Sequence, residues 1–330
     1  MRVLVVKLSS LGDVVHSLPA AMDMQSAFPD IHIDWVVEEG FAPLLRICPA
    51  VERVIPCRLR AWRKQWWSAD TRMQWRAFID DLQAQPYDAI IDLQGLTKSA
   101  FIARLAKLTS HGRRFAMANR TQGSAYESPT RWVSDVAIPC AWRSHAVQRA
   151  RHVCAQALGY GEPTQPHQTL FASPDTKVLP NTVALVHGTS RQNKSWPLSH
   201  WIKLAQYLVD RGHALGIPQS NDEEAQTAAS IAAAVPQAMV WPRGDVLSLT
   251  GSLAACAGVI GVDSGPSHIA VALGLPHVQI YNFDTAWRTG PLDCGWQQSV
   301  YAKPSPTPEL VLHAWLNGLQ AHAFAKESQT

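Results

Sequence analysis

Short hydrophobic runs recur along this chain, each ending in small or polar residues and each followed by a stretch of helical periodicity. The first, Val3 to Val6, stops at Lys7-Leu8-Ser9-Ser10-Leu11-Gly12-Asp13, where a helical pattern begins. In the first half the pattern predicts strands near Arg2–Val6, His32–Glu38, Val51–Cys57, Tyr87–Leu93 and Arg113–Ala118, with helices between them. Between Gly159 and Pro180 the periodicity fades and four prolines, Pro163, Pro166, Pro174 and Pro180, mark an interdomain linker. The pattern then restarts, with strands near Thr182–Val186, Ala214–Ile217, Val259–Val262 and His277–Tyr281. A last helix, about Pro308 to Ala325, is free to pack on either domain. Alternating strands and helices predict an α/β fold of two doubly wound units, residues 1–165 and 166–330, facing each other across a cleft. No tandem repeat is visible.

Composition agrees with two cores: 330 residues, 47% hydrophobic and 17% charged, are the numbers of a globular chain rather than a disordered one. The six cysteines are scattered, with no C-x-x-C pair and no His-Cys spacing that closes a zinc site, so they are expected as reduced, mostly buried cytosolic thiols and no metal is expected. Only four apolar residues stand between Arg2 and Lys7, and no run approaches the eighteen or so of a membrane span, so neither export nor membrane insertion is expected. Residues 1–165 carry 20 basic and 15 acidic side chains and the remainder 9 and 11, which suggests an acidic partner for the first half.

Four segments carry candidate chemistry. An acid where the first strand hands over to its helix lies at the mouth of an open sheet, where such folds bind ligands; Ser10 can cap that helix and Gly12 lets backbone approach a ligand. Asp13 is thus a candidate catalytic acid or base, although an acid there also complements the helix dipole. Gly261-Val262-Asp263-Ser264-Gly265-Pro266-Ser267-His268 runs from strand into helix, with Pro266 suited to the first helical position, and exposes N–H groups that can hold a phosphate. His187-Gly188-Thr189-Ser190-Arg191-Gln192-Asn193-Lys194 supplies two hydroxyls and a lysine for a diphosphate, with Glu224 a candidate ribose acceptor or simply one of three acids opening a helix. The acid-free segment around Arg58-Leu59-Arg60-Ala61-Trp62-Arg63-Lys64-Gln65-Trp66-Trp67 suits an anionic membrane surface or a phosphorylated glycolipid; alternatively Trp62 and Trp66, four apart, form a core stripe. No nucleic-acid module, G-x-G-x-x-G, P-loop, H-E-x-x-H or Asp-x-Asp motif is present.

These segments resemble a known family. Leu4 to Pro19, Asp34-Trp35-Val36-Val37-Glu38-Glu39-Gly40-Phe41, Tyr87 to Leu96 with Lys98-Ser99-Ala100, Lys194-Ser195-Trp196-Pro197 and Val262 to His268 are similar to the ADP-heptose:lipopolysaccharide heptosyltransferases, in particular their first-heptose (type I) branch. The resemblance implies a GT-B fold of two Rossmann-like domains, the acceptor on the first and the nucleotide sugar on the second. It implies inverting, metal-independent transfer of L-glycero-D-manno-heptose from ADP-heptose to the first Kdo of Kdo2-lipid A, with no cofactor. The setting it implies is the cytoplasmic face of the inner membrane, on its anionic surface. It makes Asp13 the general base, and Thr189, Ser190, Lys194, Glu224, Asp263, Ser264, Gly265 and His268 donor contacts, with Lys194 stabilising the leaving group. Ser10, Gly12, Arg60, Arg63, Lys64 and Arg120 fall on the acceptor side. Alternatives are a second-heptose transferase and a non-catalytic nucleotide-binding protein. Three departures stand out: Ser264 replaces the usual threonine, Asn282-Phe283-Asp284-Thr285 replaces a Gly-Pro-Thr segment, and Ser220-Asn221 replaces the glycine before Glu224.

Overall fold

A computed structural model describes residues 1–163, 168–292 and 294–328. The chain divides into two units, Met1–Gln165 and Pro166–Thr330; residues 164–167 of the linker segment, and with them the boundary itself, lie outside the described residues.

The first unit holds β1 (Arg2–Val6), β2 (His32–Glu38), β3 (Arg53–Cys57), β4 (Tyr87–Asp92), β5 (Leu108–Met117) and β6 (Val136–Ile138), all parallel, in the order β3-β2-β1-β4-β5-β6. The second holds β7 (Thr182–Val186), β8 (Ala214–Ile217), β9 (Ala238–Val240), β10 (Gly258–Val262), β11 (His277–Tyr281) and β12 (Gln297–Tyr301), in the order β12-β11-β10-β7-β8-β9. Read from the opposite edge, the second order repeats the first. Each is a doubly wound sheet whose direction of winding reverses between its first and fourth strands, and ligands of such sheets sit at the carboxyl ends of those strands. The loops after β1 and β4, and after β7 and β10, are therefore the places to look for chemistry.

The sequence reading missed β6, β9 and β12. The first two are three-residue edge strands, and β12 opens on three consecutive polar residues, Gln297, Gln298 and Ser299, with only Gln297 and Val300 buried. Edge strands are covered on one side only and so lack the continuous apolar run of a central strand. β5 also begins earlier than expected, at Leu108, with a register shift against β4 between Tyr87 and Ala89. The last helix runs Pro308–Glu327; Val311, Leu312, Ala314 and Trp315 bury it in the second unit's core with Leu204, Leu208, Val278 and Val300.

Two buried carboxylates in the first unit hold structural ion pairs. Asp34, fully buried, takes Arg53 at 2.7 Å, Arg2 at 3.0 Å and the Tyr87 hydroxyl at 2.8 Å, tying β1 to β4 together at their amino ends. Asp23 on helix Leu18–Ala27 receives both Nε (2.6 Å) and Nη2 (2.9 Å) of Arg151 on helix Ala146–Leu158. That bidentate pair fixes the helix carrying Arg149, two residues earlier, which matters below.

Candidate functional site

In the first unit, β1 is fully buried from Val3 on and is followed directly by Lys7, also buried. Gln94, in the turn after β4, accepts the N–H groups of both Leu8 and Ser9 at 3.1 Å, pinning the β1 loop to the neighbouring strand end. Asp92 holds that turn: one oxygen accepts from Gln94 N (2.8 Å) and Gly95 N (3.1 Å), the other from Ser99 Oγ (2.9 Å). Gly95 sits at φ +73°, a left-handed conformation in which a side chain is strained. Burial pushes the Asp92 carboxyl up to about 6 against these bonds.

Asp13 stands in the first turn of the short helix Leu11–Val15. Ser10 occupies the N-cap position, but the capping direction is reversed from the expected one: Asp13 Oδ2 accepts from both Ser10 N (3.1 Å) and Ser10 Oγ (2.8 Å). Ser10 thereby orients Asp13. Gly12 is its partly exposed neighbour within the same helix. Burial works against the charge of Asp13, but the Lys7 ammonium, the two bonds from Ser10 and Arg149 outweigh it, so the carboxyl titrates below its ordinary range. Burial likewise lowers the Lys7 pKa, with Asp13 pulling the other way; its Nζ donates to Leu93 O at 2.9 Å. Lys7, Asp13, His16 and Arg149 line one small pocket. The product is an ionised carboxylate, half-buried and oriented, at the switch point of the first sheet.

A second cavity of about 510 Å³ in this unit is lined by Arg60, Arg63, Arg72 and Lys98, by Trp62, Trp66 and Trp75, and by Glu38. The predicted basic aromatic helix is shorter than expected: it spans Leu59–Lys64 and ends at Gln65, so Trp66 falls outside it. Trp62 is buried against Trp75 and Phe78, whereas Trp66 is 69% exposed; the two form no common core stripe. Arg60 and Arg63 come together here, while the exposed Lys64 and Arg120, the latter in the loop after β5, do not line the cavity. Burial raises the Glu38 pKa, with Arg60 and Lys98 opposing, and its Oε1 is buried without a hydrogen-bond partner among the described residues.

In the second unit, Asp263 directly follows β10 and is almost fully buried. Its Oδ2 pairs with Lys194 Nζ at 2.6 Å; its Oδ1 is met by His268 Nε2 at 3.3 Å, Gln279 Nε2 at 3.4 Å and Thr289 Oγ1 at 3.3 Å. Burial opposes the charge, yet the His268 bond together with the charges of His268 and Lys194 holds the carboxyl well below the usual carboxylate range. Both oxygens are engaged by protein donors, so Asp263 anchors Lys194 and His268. Ser264 is the N-cap of helix Gly265–Ala272, Gly265 is its first residue, and Pro266 takes the second position, one later than expected. Gly261 packs so closely on Ser267 Oγ and Val186 that a Cβ there would clash. Thr189 Oγ1 donates to Asp263 O at 3.4 Å, and Ser190 is exposed in the same loop. Glu224, at the start of helix Asp222–Ala234, is brought against Gly188 of that loop, with no room for a Cβ; Ser220 N (2.6 Å) and Oγ (2.8 Å) orient its carboxylate. The structure thus gathers Thr189, Lys194, Glu224, Asp263 and the helix start around the β7–β10 switch point. A cation and free N–H groups at a helix N-terminus bind phosphate.

The sequence reading did not single out Lys7, Arg149, Glu38, Arg72, Lys98, Trp75 or Thr289 as site residues. A lone lysine directly after a buried strand was a signal for Lys7, and Glu38 and Lys98 lie in segments that carry the family resemblance; nothing local marked the others.

The comparisons with known proteins match this geometry. The glycosyltransferase family 9 (heptosyltransferase) profile matches residues 75–311. The chain belongs to glycosyltransferase family 9. It is a heptosyltransferase with two Rossmann-like units, the makeup of the GT-B fold. Lipopolysaccharide heptosyltransferase 1 of Escherichia coli (strain K12) is 38% identical over 300 residues, covering 89% of each chain. The structure of E. coli heptosyltransferase WaaC with ADP superposes with a TM-score of 0.80 at 35% identity, covering 99% of both chains. WaaC with ADP-2-deoxy-2-fluoro heptose gives 0.77 at 36% identity, covering 99% of this chain and 100% of the other. Among the described residues no helix is long and apolar enough to cross a membrane.

Proposed function

We propose that this heptosyltransferase transfers L-glycero-D-manno-heptose from ADP-heptose, with inversion and without a metal or other cofactor, to the first Kdo of Kdo2-lipid A in lipopolysaccharide inner-core synthesis. The observation that carries the reading is the Asp13 carboxylate, kept ionised by Lys7 and aimed by Ser10. Asp13 takes the proton from a Kdo hydroxyl; the oxygen forms a bond to heptose C1 as the bond from C1 to the diphosphate breaks, and ADP leaves with the electron pair. One positioned base contributes on the order of 10²- to 10⁴-fold. Lys194 and the N–H groups at the start of helix Gly265–Ala272 neutralise the diphosphate, and Glu224 accepts from the ribose. The fluoro-heptose nucleotide bound to the WaaC relative supports ADP-heptose as donor.

The acceptor is an anionic amphiphile, and the cavity of arginines and tryptophans has the chemistry to take one. The same segment leaves Trp66 and Trp67 exposed beside it, which suits peripheral attachment to the cytoplasmic face of an anionic inner membrane. The test is ADP release from ADP-heptose alone, with Kdo2-lipid A, and with heptosylated Kdo2-lipid A. Release that depends on Kdo2-lipid A supports the reading. Preference for the heptosylated form makes the protein a second-heptose transferase, and no acceptor-dependent release rejects the assignment.

A further inference from the structure

Asn282 lies directly after β11, in the segment that departs from the family's Gly-Pro-Thr. Its Nδ2 donates to Asn193 O at 3.2 Å and to Ser195 O at 2.8 Å, the two carbonyls that flank Lys194. Lys194 ends a single three-residue turn, Gln192–Lys194, closed by Lys194 N on Arg191 O and Ser195 N on Gln192 O, both at 2.9 Å. We infer that Asn282 is a positioning residue for Lys194: its amide clamps the backbone on both sides of that lysine and fixes where the ammonium is presented to the donor diphosphate.

The orientation of the amide is set by its surroundings. Two carbonyls can only accept, so the NH₂ must face them, and Oδ1 is then left buried without a hydrogen-bond partner among the described residues. An unpaired buried oxygen carries a cost, which the two bonds to the loop offset. β11 is hydrogen-bonded to β10, which Asp263 directly follows, so Asn282 and Asp263 leave neighbouring strands and grip Lys194 from its two ends. Asp263 takes the ammonium and Asn282 takes the backbone. A lysine has four rotatable side-chain bonds; anchoring its backbone removes the main-chain share of the disorder that would otherwise be frozen on binding. A glycine in place of Asn282 has no side chain to reach either carbonyl.

The inference rests on the reading that Lys194 meets the diphosphate, and the experiment separates the two. Asn282→Ala, the isosteric Asn282→Asp, Lys194→Ala and the Asn282→Ala/Lys194→Ala double variant are assayed for ADP-heptose turnover, with circular dichroism and thermal melting to confirm folding. Asn282→Ala is expected to lower kcat/KM for ADP-heptose about tenfold and to leave the acceptor KM unchanged, because a loosened catalytic group loses its alignment. Asn282→Asp is expected to lose at least as much, since a carboxylate repels both carbonyls and the diphosphate. In the Lys194→Ala background, Asn282→Ala is expected to add less than about a twofold loss, the mark of two residues acting as a unit. Wild-type kinetics in Asn282→Ala and Asn282→Asp, or an equal loss in both backgrounds, overturns the inference while leaving the role of Lys194 intact. Wild-type turnover in Lys194→Ala overturns the reading of Lys194 and the inference with it.

Discussion

Asp13→Asn isolates charge from shape. Both Ser10 bonds fall on one oxygen, Oδ2, so an asparagine oriented with its carbonyl toward Ser10 keeps them, and the helix start is preserved. What disappears is the negative charge facing buried Lys7 and Arg149. Stripping one partner from a fully buried ion pair costs roughly 3–5 kcal/mol. Asp13 is only half-buried and Lys7 keeps its bond to Leu93 O, so water and the carbonyl recover part of this and about 1–2 kcal/mol is the expected cost. For a unit of this size that is a drop in Tm of roughly 2–8 °C, a folded protein at assay temperature. Turnover should fall by about 10²- to 10⁴-fold with the loss of the base. ADP affinity, measured by titration calorimetry, should be unchanged, because the phosphate-binding groups all belong to the second unit. The stability of the wild type should also depend on pH in a defined sense. The Asp13 pKa is lowered by folding, so its contribution is present above the ordinary carboxylate value and is lost as pH falls through the lowered one. The variant should lack that dependence. Turnover within about tenfold of wild type, against the 10²-fold minimum for a base, would refute the role of Asp13, as would loss of ADP binding in a folded variant.

Lys7→Met removes the charge that overcomes burial at Asp13, so the acid limb of the kcat/KM profile should move to higher pH; an unmoved limb would separate Lys7 from the base. Asp263→Asn leaves Lys194 and His268 without their anchor: KM for ADP-heptose should rise about tenfold, and urea unfolding should show a loss of about 2–4 kcal/mol. Unchanged donor KM would make the Lys194–Asp263 pair purely structural. The double variant Arg60→Ala/Arg63→Ala should float less with anionic vesicles, at a cost on the order of 1 kcal/mol per charge. Flotation independent of anionic lipid in the wild type would count against membrane attachment.

The residues of β1, β7 and β10 form nearly continuous apolar runs, and β2, β4 and β11 are largely apolar, with Asp34, Asp88, Asp92, His277 and Gln279 among the exceptions, because central parallel strands are buried on both faces; that pattern needs no partner to be read. Asp13 and Asp263 were legible for a related reason: each follows such a run where a helix begins, and in a doubly wound sheet that place is the ligand mouth. Lys194 and His268 came with their loops. Edge strands such as Val136–Ile138 gave no comparable signal, because half their surface is not buried.

Tertiary structure alone decided which of these groups work together. Gln94 reaches the backbone of Leu8 across 86 positions, Lys194 reaches Asp263 across 69, and Asn282 reaches Ser195 across 87. Parallel pairing makes every neighbouring strand end distant in sequence, since a crossover must intervene. The capping direction at Ser10, the ionised state of Asp13 and the anchoring task of Asp263 all depend on such contacts. Local sequence placed the acids and the lysine at strand ends; only the packing of distant loops set their charge, their orientation and their partners.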